Sequence, residues 1–101
     1  MNPMFEYLCI RQFLRDLCKS RETSFRMVAD YAGIHTSYFS RVMKGDASFN
    51  DQQLFLISEF FRWENNHREY FLLLGQLAGS SHRGHRTYLE SRMASIREAQ
   101  H

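Results

Sequence analysis

An all-α fold is what this sequence predicts, on three observations. Of its 101 residues one is proline, Pro3, and five are glycine, so the chain carries few of the breakers that punctuate sandwiches and barrels. Apolar residues return every three or four positions rather than every second one. The hydrophobic share is 44% and the aromatic share 15%, enough to fill the core of one small domain.

Six helices are expected. The first runs from about Phe5 to Ser20, with Phe5, Leu8, Cys9, Phe13, Leu14 and Leu17 at helical spacing and Arg11, Arg15 and Lys19 between them. Cys9 and Cys18 lie nine residues apart in it. At ~100° per residue they fall on opposite faces, so they cannot pair, and both are read as buried thiols. Thr23 or Ser24 can cap a second helix, Phe25 to Ala32, which Gly33 ends. A third runs from about Thr36 to Lys44 and stops at Gly45.

Asn50 caps a fourth helix reaching about Trp63, with Gln53 placed for a capping box and Leu54, Phe55, Ile57, Phe60 and Phe61 as its apolar face. Trp63 is read as core. Asn66 and Glu69 suggest the same capping for a fifth helix, which buries Tyr70, Phe71, Leu74 and Leu77 and ends at Gly79. A polar linker, Ser80 to Gly84, leads to a sixth helix from about Arg86 to Ala99. The organisation expected is therefore a five-helix domain over residues 1–79 and an amphipathic appendage over 80–101.

Charge is uneven along the chain. Residues 1–45 hold seven basic and four acidic side chains, residues 46–79 two and five, and residues 80–101 four and two, for a net +2 overall. A basic first segment suits phosphate contacts. Residues 1–10 carry Glu6 and no basic run before their apolar residues, so no secretory leader is expected. No uninterrupted apolar run approaches the ~18 residues of a membrane span. A soluble, cytoplasmic protein without a membrane partner is the expectation.

Enzyme chemistry finds no support. There is no Gly-rich phosphate loop and no H-E-x-x-H. His82 and His85 have no third ligand beside them to complete a metal site and read as solvated linker residues. No cofactor and no small-molecule substrate are expected.

The segment from Phe25 to Lys44 carries the most information. Two short helices crossing at ~90–120° over a three- or four-residue turn need a small residue midway along the first, and Ala29 is there. The turn needs a residue that accepts left-handed geometry, and Gly33 follows four positions on. Val28, Ala32, Ile34, Phe39 and Val42 fall where apolar residues must face the core. Thr36, Ser37, Ser40, Arg41 and Lys44 fall on the outward face of the second helix. The pattern predicts a helix-turn-helix.

The run VADYAGIHTSYFSRVMKGDASF, followed by an apolar helix, resembles the helix-turn-helix of the phage-repressor (Xre-like) class over Phe25 to Trp63. The longer run from SFRMVADYAG through SRVMKG to REYFLLLGQLA is still more similar to a family of poorly characterised bacterial regulators. Their helix-turn-helix domain is followed by a larger C-terminal region, most of which this chain would lack. The resemblance covers about Phe5 to Ala78 and implies a repressor-like five-helix domain that regulates transcription.

It also implies roles. The third helix would enter the major groove, with Thr36, Ser37 and Arg41 reading base edges. Arg26, Tyr38, Ser40 and Lys44 would meet phosphates. Two positions depart from the class: Phe25 stands where a phosphate-binding glutamine is common, and Asp46 where a basic residue is common. A homodimer on double-stranded DNA is expected. The stripe Tyr88, Leu89, Met93 and Ile96 of the sixth helix is then either the dimer face or a surface docked on its own domain. The alternative function is a protein-interaction module that has kept this fold and lost DNA binding, favoured by Phe25, Asp46 and the acidic middle segment.

Overall fold

The computed structural model describes residues 3–100. They form a 3-10 turn, Pro3–Glu6, and six α-helices: α1 Ile10–Ser20, α2 Phe25–Ala32, α3 Thr36–Met43, α4 Asp51–Phe60, α5 Asn65–Gly79 and α6 Arg83–Ala99. Among the described residues there is no strand. The all-α class is as expected. No helix among these residues is long and apolar enough to cross a membrane.

Helix α5 holds the arrangement together. It packs against α1, α4, α6 and the 3-10 turn, while α2 lies between α3 and α4. The core runs through every element, from Met4, Phe13 and Val28 to Tyr70, Phe71 and Met93. Trp63 sits inside it, stacked on Phe61 at 4.8 Å and beside Phe13 and Phe71, although its buried indole nitrogen meets no acceptor.

The first helix starts five residues later than its pattern suggests. The chain turns after Glu6, and Cys9 takes extended backbone as the cap of α1. From Ile10 the register is new: Ile10, Phe13, Leu14 and Cys18 are buried, Leu17 is half-buried, and Leu8 and Cys9 face solvent. The expectation of two buried thiols is thus corrected at Cys9. Burial pushes the Cys18 thiol above its ordinary pKa, which lowers its thiolate fraction. A disulfide reagent at neutral pH is expected to titrate one thiol quickly in the native protein and the second only after denaturant is added. Two fast equivalents in the native protein would contradict this placement.

Two helices, α1 and α4, end on a left-handed residue other than glycine. Glu22 (φ 54°) and Arg62 (φ 61°) take the left-handed conformation, and the N–H groups of Thr23 and Trp63 close back to the carbonyls of Cys18 and Ser58. That is the glycine-type helix stop, made by residues that adopt it at a cost. It explains why α4 ends at Phe60 rather than near Trp63. On α4, Phe55 is 39% exposed instead of buried; the Arg68 guanidinium lies 4.3 Å from its ring centre. The inward position is taken by Ser58, which donates to the Phe55 carbonyl (2.6 Å) and accepts from Arg68 Nε (2.9 Å).

The expected cap of α5 is also displaced. Glu64 occupies the cap with no side-chain bond, and Asn66 lies in the first turn. Glu69 is drawn away to pair with Arg92 of α6. Helix α6 begins before the expected Arg86 because His82 caps it: its Nδ1 accepts from the His85 N–H at 3.2 Å, while the His85 ring meets Ser80 Oγ at 2.7 Å. His82 is thus the cap and His85 part of the first turn of α6, and neither is loose linker.

Helix α6 docks on its own chain. Leu89, Met93 and Ile96 are buried in the common core, and of the proposed dimer stripe only Tyr88 stays exposed, at 55%. Arg97 ties the helix to the start of the chain, donating from Nε to the Phe5 carbonyl (2.6 Å) and from Nη2 to the Tyr70 hydroxyl (2.9 Å). Fully buried Tyr70 in turn shares its hydroxyl proton between the carbonyls of Tyr7 (2.7 Å) and Phe5 (3.1 Å). As a dimer face the stripe is therefore withdrawn, because its apolar area is already spent inside one protomer.

Candidate nucleic-acid interface

The surface of interest is built by α2, a short turn and α3. The Ser24 side chain accepts from the Met27 N–H at 3.2 Å and starts α2. Gly33 ends it at φ 68° and ψ 31°, with the Ile34 N–H returning to the Ala29 carbonyl at 2.8 Å. A side chain at Gly33 would meet no neighbour, so it is the backbone angle and not space that calls for glycine. Val28, Ala29, Ala32 and Ile34 are buried around this turn.

His35 then caps α3 with its side chain making no bond to the backbone N–H groups. The helix is divided cleanly. Phe39, Val42 and Met43 are buried, with Phe39 held between Phe25 at 5.4 Å and Phe49 at 5.1 Å. Thr36, Ser37, Ser40, Arg41 and Lys44 are exposed. From residue 31 to residue 45 there is no acidic side chain. The outward face of α3 is therefore polar at its start and cationic at its end.

Tyr38 does not share that face as expected. It is half-buried, and its hydroxyl donates to the Ser48 carbonyl, so its proton braces the α3–α4 connection instead of reaching a phosphate. Its ring lies 5.9 Å from the Arg41 guanidinium, at the outer limit of a cation–π contact. Tyr38 is thus a support for Arg41 and for the loop.

Arg26 lies elsewhere. With Phe25, Asp30, His35, Thr36, Phe39 and Ser40 it lines an open groove of about 460 Å³ between α2 and the start of α3. Arg26, Thr36 and Ser40 share this groove, whereas neither Arg41 nor Lys44 lines it. Phe25 forms part of its apolar wall through its contact with Phe39, which gives that aromatic a packing role. Asp30 adds a carboxylate to the same wall and partly offsets Arg26.

Three more residues approach this surface from outside the expected set. His35 lines the groove at the foot of α3. Arg15 of α1 donates from Nη2 to the Met43 carbonyl at 2.7 Å, closing the C-terminal end of α3. The Arg11 guanidinium lies 3.3 Å from the point where a side chain on Gly45 would begin. Only His35 had a local signal, as the residue before the first turn of α3. The arginines are brought in by packing between elements distant in sequence.

Compared with known protein families, with curated proteins and with solved structures, the chain finds no match.

Proposed function

We propose that this chain binds double-stranded DNA by laying α3 in the major groove, and that it acts as a small transcription regulator. One observation carries the reading: Thr36, Ser37, Ser40, Arg41 and Lys44 stand together on the solvent side of a helix whose other side is anchored by Phe39, Val42 and Met43. Such a helix offers hydrogen-bond donors to base edges from a rigid support. The left-handed Gly33 turn and the resemblance to the phage-repressor class support the same reading. Thr36, Ser37 and Arg41 are its base readers; Arg26, Ser40 and Lys44 are its phosphate contacts. On this reading the protein works in the cytoplasm, where its DNA lies.

Selection of binders from a random duplex pool tests the reading, and an enriched motif is the expected result. On that motif Arg41→Ala is expected to cost about 1–3 kcal/mol and to relax preference at one base pair, because a guanidinium can bond guanine O6 and N7 together. Equal affinity of wild type and variant for the selected site would remove Arg41 from the base readers. A symmetric motif would support a homodimer, paired through a surface other than α6.

A second reading rests on the outer side of α2. Met27 is 57% exposed and Tyr31 54%, and the Tyr31 ring meets half-buried Phe60 of α4 at 5.6 Å. An apolar surface there suits a protein partner. Absence of binding to any duplex at low salt, where electrostatic attraction is strongest, would favour it over DNA.

A further inference from the structure

We propose that Arg11, Arg15 and Lys19 on α1 form a second phosphate-binding surface, continuous with the cationic end of α3. The proposal rests on the DNA reading above and extends the protein's footprint on the duplex backbone beyond the recognition helix.

Sequence spacing comes first. The three residues stand at four-residue intervals, so they share one side of α1 over ~12 Å of helix. That length matches the axial rise of about three phosphates along one strand. The single acid within α1, Asp16, is engaged elsewhere, accepting from the Tyr7 hydroxyl and from Gln12 Nε2. Among the described residues none of the three cations is within ion-pair distance of a carboxylate.

Packing then decides where the stripe lies. Arg15 reaches the Met43 carbonyl, and Arg11 lies against Gly45. The two guanidinium groups thus meet the residues on either side of Lys44 in the chain, and Lys44 is exposed. Arg41 is exposed one turn earlier on the same helix. Two elements thus bring five cations toward one end of α3, Arg15, Lys19, Arg41 and Lys44 exposed and Arg11 half-buried, with Asp16, Glu22 and Asp46 as the acids adjoining them in the chain.

Stabilising the C-terminal end of α3 accounts for Arg15, and in part for Arg11. It does not account for Lys19, which is exposed and lies one further turn along α1, away from that end. Arg15 spends one of its five donors on Met43 and keeps the rest toward solvent. A phosphate backbone running past the end of α3 uses all three.

The test uses the full chain with Lys19→Gln, Arg11→Gln and the double variant. Affinity is measured against salt, both for the duplex enriched by selection and for a duplex of unrelated sequence. The double variant is expected to lower the salt slope by about one to two and to weaken both duplexes alike, by roughly tenfold for each cation removed near 0.1 M salt. Sequence preference stays as in the wild type, since phosphates carry no sequence information. An unchanged slope in the Lys19→Gln and double variants, while Lys44→Gln lowers it, would overturn the proposal and leave the DNA reading standing. Exposed Lys19 can be changed without touching the packing at Gly45, so Lys19→Gln decides the matter even where Arg11→Gln disturbs that packing. If the wild type binds no duplex at low salt, the DNA reading fails and the α1 surface fails with it.

Discussion

A chain ending at Gly79 is expected to lose its cooperative fold. Such a truncation removes Leu89, Met93 and Ile96 from the core, where they are 2%, 0% and 8% exposed. Emptying one site of this kind costs about 2–5 kcal/mol, and three together reach the ~5–15 kcal/mol that holds a small domain folded. The polar losses add to this. Without Arg97 the Phe5 carbonyl and the Tyr70 hydroxyl lose their charged donor. Without Arg86, whose Nη1 donates to the carbonyls of Leu77 (2.7 Å) and Ser80 (2.9 Å), the end of α5 is uncapped. Thermal unfolding followed by circular dichroism is expected to change from a sharp transition to a broad, weak one. A sharp transition near the native midpoint would show that α6 is an appendage after all. The same packing means that comparing the truncated and full chains cannot report on dimerisation, because loss of the fold would dominate the result.

The second large effect is expected at Gly75. A Cβ built there would lie 2.3 and 2.5 Å from the two Cδ atoms of Leu54 and 2.9 Å from its Cγ. Leu54 is itself fully buried, so its side chain has little room to withdraw. Gly75→Ala gains about 1 kcal/mol of helix propensity and loses about 1–3 kcal/mol to overpacking. Gly75→Leu forces further atoms into the α4–α5 contact and is expected to cost about 4 kcal/mol, or to prevent folding. Denaturant titration reads both. Gly75→Ala combined with Leu54→Ala is expected to be less destabilising than the two single losses added together, because each change relieves the other. Strict additivity would show that the two residues do not compete for the same space. The consequence for the candidate interface is indirect: α4 packs on α2, and α2 carries α3.

Local signals in the sequence mark several boundaries. Ser24 and Gly33 delimit α2, Gly45 follows α3, and Asn50 with Gln53 forms the reciprocal capping box that opens α4. Each acts within a few residues of itself, so spacing alone reveals it. The boundaries that were not legible lack such residues. Glu22 and Arg62 take the left-handed stop that glycine usually signals, and Cys9 caps α1 without a side-chain bond. There the backbone follows tertiary packing against local preference.

The candidate interface divides in the same way. That α3 presents Thr36, Ser37, Ser40, Arg41 and Lys44 on one face follows from helical period alone, since five such positions cannot all turn inward beside Phe39, Val42 and Met43. Which cations join that face does not follow from period. Tyr38 is withdrawn from the proposed phosphate contacts because the Ser48 carbonyl accepts its hydroxyl proton. Arg11 and Arg15 join the surface because α1 passes the end of α3, an approach spanning 28 residues for Arg15 and Met43.

By itself, then, the sequence determined the all-helical class, the α2–turn–α3 unit and the polar face of α3, because each depends on interactions within about four residues. Only the tertiary structure decided that α6 belongs to the core, that Tyr88 alone of its apolar stripe stays outside, and that Arg11 and Arg15 of α1 reach the end of α3. Those outcomes depend on which helices meet, and an amphipathic stripe specifies that it must be covered without specifying by what.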